Sequence, residues 1–501
     1  MIAQSHTATL AGIDALPVVV EVDLQGGKTD FVLVGLPDKA VQESQDRVRS
    51  AIVNSDLDFP FTRLVCNLAP GDVKKEGPSM DLPIAVAILA AGGQVPMDAL
   101  ADTALIGELG LDGALRPVDG AVNVALLAHA KKLRRLIVPI QNAAEAAVTP
   151  GLEVFGVRSL TEAVELLNGS LAFEPFEHKL VANQLPRYEL DFSDVKGQSH
   201  AVRALEIAAA GGHNVLMVGP PGSGKTMLAR RLPTILPPLT VEEAIEVTRI
   251  YSASGQKGTR EGLVWERPFR SPHHTTSYAA VVGGGKTPKP GEVSLSHLGV
   301  LFMDEMPEFD RGVLEALRQP LEDGIVSIAR VAAAMEFPAE CILIGAMNPC
   351  PCGFKGYPEA KCVGASLCDR YAGRISGPLI DRIDLHINVP RLKPDDLTSR
   401  PTGQRSEHIR DRVCAARERQ AARFGKVKVN AKMTPREIQD LVEMDADCLE
   451  FMRVVTAKLN LSARVFDRLL KVARTIADLA LSETVTKVHL SEAVQYRGHT
   501  E

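Results

Sequence analysis

The chain has 501 residues, 45% hydrophobic, 24% charged and only 4% aromatic. This excludes a single small module and a disordered, collagen-like or disulfide-scaffold chain, and it predicts about three folded domains. The formal net charge of −6 neither favours nor excludes a nucleic-acid partner, because a global sum hides local basic stripes.

The N-terminal sequence Met1-Ile2-Ala3-Gln4-Ser5-His6 lacks the basic and apolar regions of a secretory signal. The longest apolar stretch, Leu82 to Ala91, contains Pro83 and falls short of the ~20 residues of a membrane span. A cytoplasmic protein with no membrane partner is expected. Residues 1–170 alternate apolar runs, Val18–Val22 and Phe31–Val34, with helical stretches such as Ala121–Lys132, the pattern of an α/β domain. Residues 171–190 lose that periodicity and read as a linker. Residues 191–392 run helix, strand, glycine-rich loop, helix and further strands, the rhythm of a doubly wound parallel sheet. Its strands, Val215–Val218, Val300–Met303 and Cys341–Met347, are short and continuously apolar, as buried parallel strands are. Residues 393–501 keep only helical periodicity, in Ile409–Ala416, Ile438–Met444 and Leu461–Leu479.

Gly219-Pro220-Pro221-Gly222-Ser223-Gly224-Lys225-Thr226 fits G-x-x-x-x-G-K-[ST] between an apolar strand and a helix. Its backbone N–H groups can wrap the phosphates of ATP, Lys225 can reach the outer phosphate oxygens and Thr226 can place a hydroxyl on Mg²⁺. Leu301-Phe302-Met303-Asp304-Glu305 is an apolar strand ending in two carboxylates. Asp304 is the expected Mg²⁺ partner and Glu305 the base that polarises the attacking water. Asn348 ends the following strand and can orient the same water.

Gly211-Gly212-His213-Asn214, the run Arg267-Pro268-Phe269-Arg270-Ser271-Pro272-His273-His274-Thr275-Thr276-Ser277, Met303-Asp304-Glu305 and Ala346-Met347-Asn348-Pro349-Cys350-Pro351-Cys352-Gly353 together resemble the magnesium-chelatase-like AAA+ ATPases. Within that family they are most similar to the ComM (YifB) branch of bacterial branch-migration helicases, over essentially the whole chain. The resemblance implies an AAA+ doubly wound sheet with a helical lid, preceded by an α/β Lon-protease-like (ribosomal S5 domain 2-like) domain. It implies a homo-hexamer that acts on single-stranded and branched DNA, independently of sequence, with recombination proteins as further partners, during natural transformation. Asn348 then becomes the sensor-1 residue, and Arg382 the arginine finger acting on a neighbouring subunit's nucleotide. Arg464 becomes the sensor-2 arginine, reaching phosphate from the subunit's own lid, with Arg468 and Arg474 on the same helix as competitors. Gln198 and His200 fall where the family closes over the base.

By the same resemblance, the Arg267–Gly291 segment with Gly283-Gly284-Gly285, Lys286 and Lys289 corresponds to a helix-2 insert. Ile325–Phe337, with Arg330 near its tip and a turn near Ala332, corresponds to a hairpin that precedes the sensor. Both could track DNA phosphates by charge. The basic run Arg405, Arg410, Arg412, Arg417, Arg419, Arg423, Lys426 and Lys428 reads as a solvated helix face.

Lys75-Glu76-Gly77-Pro78-Ser79-Met80-Asp81 and the Gly107–Gly120 segment resemble the Lon-protease-like domain, in which a serine and a lysine form the catalytic dyad. Ser79 holds the serine position and Val122 the lysine position; a valine accepts no proton, so a non-catalytic domain is expected. Cys350, Cys352, Cys362 and Cys368 could close a structural Zn²⁺ site or remain reduced thiols; their spacing is not a paired C-x-x-C knuckle. Besides a DNA motor, a remodelling motor acting on a protein and an ATP-dependent protease remain as readings.

Overall fold

A computed structural model describes residues 2–170, 173–177, 188–256, 262–285, 288–329, 334–353, 365–392 and 403–497. They divide into two compact units. The first holds Met1–Gln184 together with Thr240–Val264 and Pro288–Pro290; the second holds Leu185–Leu239, Trp265–Thr287 and Gly291–Glu501. Residues 171–190, read as a linker, fall largely outside the described residues.

In the first unit, strands β1 (Ile2–Ala11) and β2 (Asp14–Gln25) form a long antiparallel pair, Ile2 opposite Asp23 and Ala11 opposite Asp14. Adding β3 (Asp30–Val34), helix α1 (Ser44–Asn54), β4 (Arg63–Ala69), α2 (Asp81–Ala91), β5 (Thr103–Leu105), α3 (Ala121–Ala130), β6 (Arg135–Pro139), β7 (Glu153–Val157) and α4 (Leu160–Asn168) gives a mixed seven-stranded sheet, ordered β3-β4-β2-β1-β5-β6-β7. The long apolar stretch is α2, buried from Asp81 to Ala90. Its lack of a polar face follows from that burial. Pro83 is tolerated in the first turn, where its missing N–H has no intrahelical partner to lose. Asp81 is fully buried and accepts hydrogen bonds from Ser44 Oγ (2.5 Å), Arg47 Nε (2.8 Å) and the Leu109 N–H (3.2 Å). The aspartate that follows the serine motif is therefore an anchor for α1 and α2.

The second unit begins with α5 (Ser199–Gly211), β8 (Val215–Val218) and α6 (Lys225–Arg231). The chain then contributes α7 (Val241–Ser254) to the first unit before returning. Polar ties fix α7 to α3: the Gly120 N–H donates to Ser252 O (3.1 Å) and Asn123 Nδ2 to Arg249 O (3.3 Å).

Strands β9 (Phe269–Arg270), β10 (Val300–Met303), β13 (Ile342–Met347) and β14 (Leu385–Asn388) flank β8 in a five-stranded parallel sheet ordered β9-β10-β13-β8-β14. β10, β13 and β8 are neighbours, so the loops leaving their C-terminal ends share one edge, the place where such sheets bind ligands. Ile325–Phe337 does pair as a hairpin, of β11 (Ile325–Ala329) and β12 (Ala334–Pro338). Its tip, with Arg330 and Ala332, lies outside the described residues, as does Lys286.

Beyond α8 (Ala365–Ala372), the tail contributes α9 (Ser406–Phe424), α10 (Ala446–Lys458), α11 (Ala463–Leu479) and α12 (Lys487–Gln495). The basic run on α9 is not simply a solvated face. Arg412 pairs with Glu206 (2.5 Å), Arg417 donates to Ala209 O (2.7 Å), Arg423 pairs with buried Asp478, and Lys428 pairs with Glu437 (2.6 Å). These charges tie α9 to α5 and to the lid, a role that helical periodicity does not reveal. Among the described residues, no helix is long and apolar enough to cross a membrane.

Candidate functional site

The site is built where β8, β10 and β13 end. Gly224 has φ +92, a backbone conformation that suits glycine, and it opens α6 immediately before Lys225. The buried Lys225 ammonium donates to Gly219 O (2.7 Å), Pro220 O (3.1 Å) and Asn348 Oδ1 (3.3 Å). Burial pulls it below the ordinary lysine range, against the opposing charges of Asp304 and Glu305. Thr226 Oγ1 donates to Asp304 Oδ2 at 2.8 Å. Lys225, Thr226, Asp304 and Asn348, from three separated stretches of sequence, therefore converge.

The hydroxyl and carboxylate of the Thr226–Asp304 pair are oxygen donors of the kind Mg²⁺ takes, and the cationic, N–H-rich loop beside them suits the phosphates of a nucleotide. Ser223 in that loop is buried, and among the described residues its hydroxyl has no hydrogen-bond partner. Gln198 reaches the same loop, donating to Pro390 O (2.7 Å) and Ser223 O (3.4 Å), while His200 stacks on Tyr496 with ring centroids 5.1 Å apart.

Glu305 sits at the turn after β10 with φ 50 and ψ 43, left-handed backbone that is uncommon for a residue with a Cβ. Its carboxylate is half-exposed, and one oxygen lies 3.3 Å from His274 Nδ1. Tyr371 on α8 is hydrogen-bonded to the Asn348 backbone; burial pushes its phenol up to about 12, with Glu308 and Glu305 adding to the rise. Neither His274 nor Tyr371 was identified by spacing. His274 belongs to a run that carries the family resemblance and lies in the Arg267–Gly291 insert, neither of which points to Glu305, and Tyr371 gives no sequence signal.

Arg382 lies on the turn before β14, only 8% exposed, donating to Pro378 O (2.9 Å) and pairing with Glu322. Arg382 and Glu322, with Tyr278, Glu315, Arg318 and Ser327, line a cavity of about 450 Å³. The Glu322 carboxylate is held low by the Arg382 hydrogen bond first, and also by the charges of Arg464 and Arg468. Arg464 is exposed, whereas Arg468 pairs with Asp384 (2.5 Å) and buried Arg474 pairs with Asp478 (3.0 Å). Of the three lid arginines, Arg468 and Arg474 are committed to internal carboxylates. Arg464 shares the field of Glu322 with Arg382.

The Gly211–Asn214 run acquires a structural reason. Asn214 donates to Arg382 O (3.2 Å) and accepts from the Leu343 N–H (2.9 Å). His213 bridges Asp384 (3.1 Å) and Thr475 (2.8 Å), so the strand that leads into the phosphate loop is tied to both the Arg382 turn and the lid.

In the first unit, Ser79 is half-buried and Val122 is fully buried on α3. Its neighbour Asn123 donates to the carbonyls of Ile13 and Arg249. The helix position that holds a base in the protease is a packing position here. Buried Lys75, four residues before Ser79, donates its ammonium to Pro70 O. Among the cysteines, Cys350 Sγ and Cys352 Sγ lie 3.1 Å apart, and Cys350 and Cys368 are buried. Cys362 lies outside the described residues. Among the described residues, no group of three or more His, Cys, Asp or Glu forms a metal cluster.

Comparison with known proteins matches residues 191–397 to the family of magnesium chelatase, subunit ChlI. Residues 20–142 match subunit ChlI of Mg-chelatase, and 403–497 the ChlI C-terminal family. The chain is 45% identical over 495 residues to the competence protein ComM of Haemophilus influenzae, covering 97% of this chain and 96% of the relative. It is 44% identical over 496 residues to the uncharacterized protein YifB of Salmonella typhimurium, covering 98% and 96%. A peroxisomal Lon protease homolog 2 of Oryza sativa is 29% identical over 162 residues, covering 29% of this chain and 18% of that protein.

Proposed function

The chain belongs to the ComM/YifB family of magnesium-chelatase-like AAA+ proteins, and on that premise we propose that it is an ATP-driven, hexameric DNA motor that migrates branched recombination intermediates during natural transformation. The observation that carries the reading is the convergence of Lys225, Thr226, Asp304 and Asn348 at one edge of a parallel sheet. The relative named a competence protein supports the biological setting.

In this reading Lys225 exchanges its carbonyl partners for phosphate oxygens, and Thr226 and Asp304 would hold Mg²⁺, which would supply charge neutralisation at the transferred phosphoryl group. Glu305 takes a proton from the attacking water, and Asn348 orients that water from the adjacent strand end. Arg382 exchanges Glu322 for the outer phosphate of a neighbouring subunit's nucleotide, so hydrolysis requires a ring. The Arg267–Gly291 segment and the β11–β12 hairpin contact the DNA backbone. A structural Zn²⁺ at the cysteines is part of the proposal, resting on the Cys350–Cys352 pair; metal analysis of the purified chain tests it.

The test of the motor is steady-state ATP hydrolysis with no DNA, single strand, duplex and a four-way junction across a salt series. The expected result is stimulation that is largest with the junction and falls with salt. A rate indifferent to every DNA would overturn the DNA reading in favour of a protein client.

A further inference from the structure

The run Ser271-Pro272-His273-His274-Thr275-Thr276-Ser277 is far in sequence from both the phosphate loop and the two strand-end carboxylates, and the DNA contact proposed for the Arg267–Gly291 segment gives its histidines no part in ATP hydrolysis. The structure does. His274 Nδ1 lies 3.3 Å from Glu305 Oε2. The imidazole is held from two sides: its ring is 4.1 Å from that of His273, and it meets Phe309, which is buried, edge-on at 6.5 Å. His273 is fixed in turn, because its Nδ1 faces the Thr275 hydroxyl at 2.8 Å and accepts from the Thr275 N–H at 3.3 Å. The histidine pair and the threonine thus form a braced arm whose end touches the carboxylate.

Glu305 needs such an arm. It is half-exposed, it stands on left-handed backbone, and its own N–H is hydrogen-bonded to Asp304 Oδ1 (3.0 Å), which fixes the main chain but not the carboxylate. The other charges and dipoles around it are Asp304, the Lys225 ammonium and the Tyr371 phenol, with Glu308 paired to Arg374 (2.5 Å). A general base must be held in hydrogen-bonding geometry toward its water, and a long carboxylate side chain left to rotate loses that orientation.

We propose that His274 is the positioning residue of the catalytic base: it donates from Nδ1 to Oε2 of Glu305, leaving Oε1 to take the proton of the attacking water, and His273 and Thr275 brace it for that task. This rests on the reading of Glu305 as the base, and the experiment separates the two.

The experiment measures kcat and KM for ATP, with saturating junction DNA, in the full-length protein carrying His274→Ala, His274→Asn, Glu305→Gln, or His274→Ala with Glu305→Gln. An asparagine amide places a donor near the position of Nδ1. The expected result is a kcat about 10-fold lower for His274→Ala with KM unchanged, substantial recovery of kcat in His274→Asn, and no further loss when His274→Ala is added to Glu305→Gln. An unchanged or faster His274→Ala enzyme overturns the proposal, and so does a loss that His274→Asn does not recover or that is carried by KM. Wild-type turnover in Glu305→Gln overturns the assignment of the base itself. If Glu305→Gln is inactive and His274→Ala is normal, only the proposal for His274 fails.

Discussion

Two regions of this molecule carry a recognisable catalytic motif on an α/β frame, and their residues have gone different ways. In the second unit Lys225, Thr226, Asp304 and Asn348 meet within hydrogen-bonding distance, with a half-exposed carboxylate beside them. In the first unit the corresponding helix presents Val122, fully buried, and Asn123, whose amide is tied to backbone carbonyls of Ile13 and of α7. The second unit keeps polar groups whose partners at the strand ends can be exchanged for a ligand. Where the motif position is an apolar, packed side chain, as at Val122, the same frame is a scaffold.

The sharpest way to break that contrast is Lys225→Ala, which removes the cation facing the phosphates. ATP turnover should fall by about 100-fold or more while the unfolding transition is retained; turnover near wild type would place the active site elsewhere. The converse substitution, Val122→Lys, restores a lysine at the protease position. It should yield no peptide hydrolysis and should destabilise the first unit by about 3 kcal/mol in denaturant titration, because an ammonium is forced into a packed helix face. Peptidase activity in that variant would show that the first unit has kept a competent site.

Asp384→Asn addresses the frame of the second unit. Burial alone would raise Asp384, but the His213 hydrogen bond and the Arg468 charge override it and hold the carboxyl well below the usual aspartate range. Its contribution to stability is therefore complete above the unfolded aspartate value near pH ~4 and is lost as pH falls through the lower folded value. The variant should lose about 3 kcal/mol at pH 7 and lose the corresponding part of the acid dependence, as followed by circular dichroism. The smallest effect is expected from Asn123→Ala, about 1 kcal/mol from its lost hydrogen bonds.

The sequence reading reached the second unit further than the first. A phosphate loop, a strand ending in two acids and an asparagine at the next strand end are local patterns, and the parallel sheet aligns them without further information. The donation of α7 to the first unit was not legible, because helical periodicity states that a helix has a buried face and not what covers it. The basic run on α9 reads as solvent-facing for the same reason: Glu206 and Asp478, which pair with Arg412 and Arg423, are distant in sequence. The pairings of His274 with Glu305 and of Arg382 with Glu322 likewise join separated segments, and no spacing rule connects them.

The central claim is tested most directly with a labelled four-way DNA junction incubated with the wild-type chain or with Glu305→Gln, each with and without ATP. The account predicts conversion of the junction to branch-migration products by the wild type only with ATP, and no conversion by Glu305→Gln. A wild-type protein that hydrolyses ATP but leaves the junction intact at low salt would contradict it.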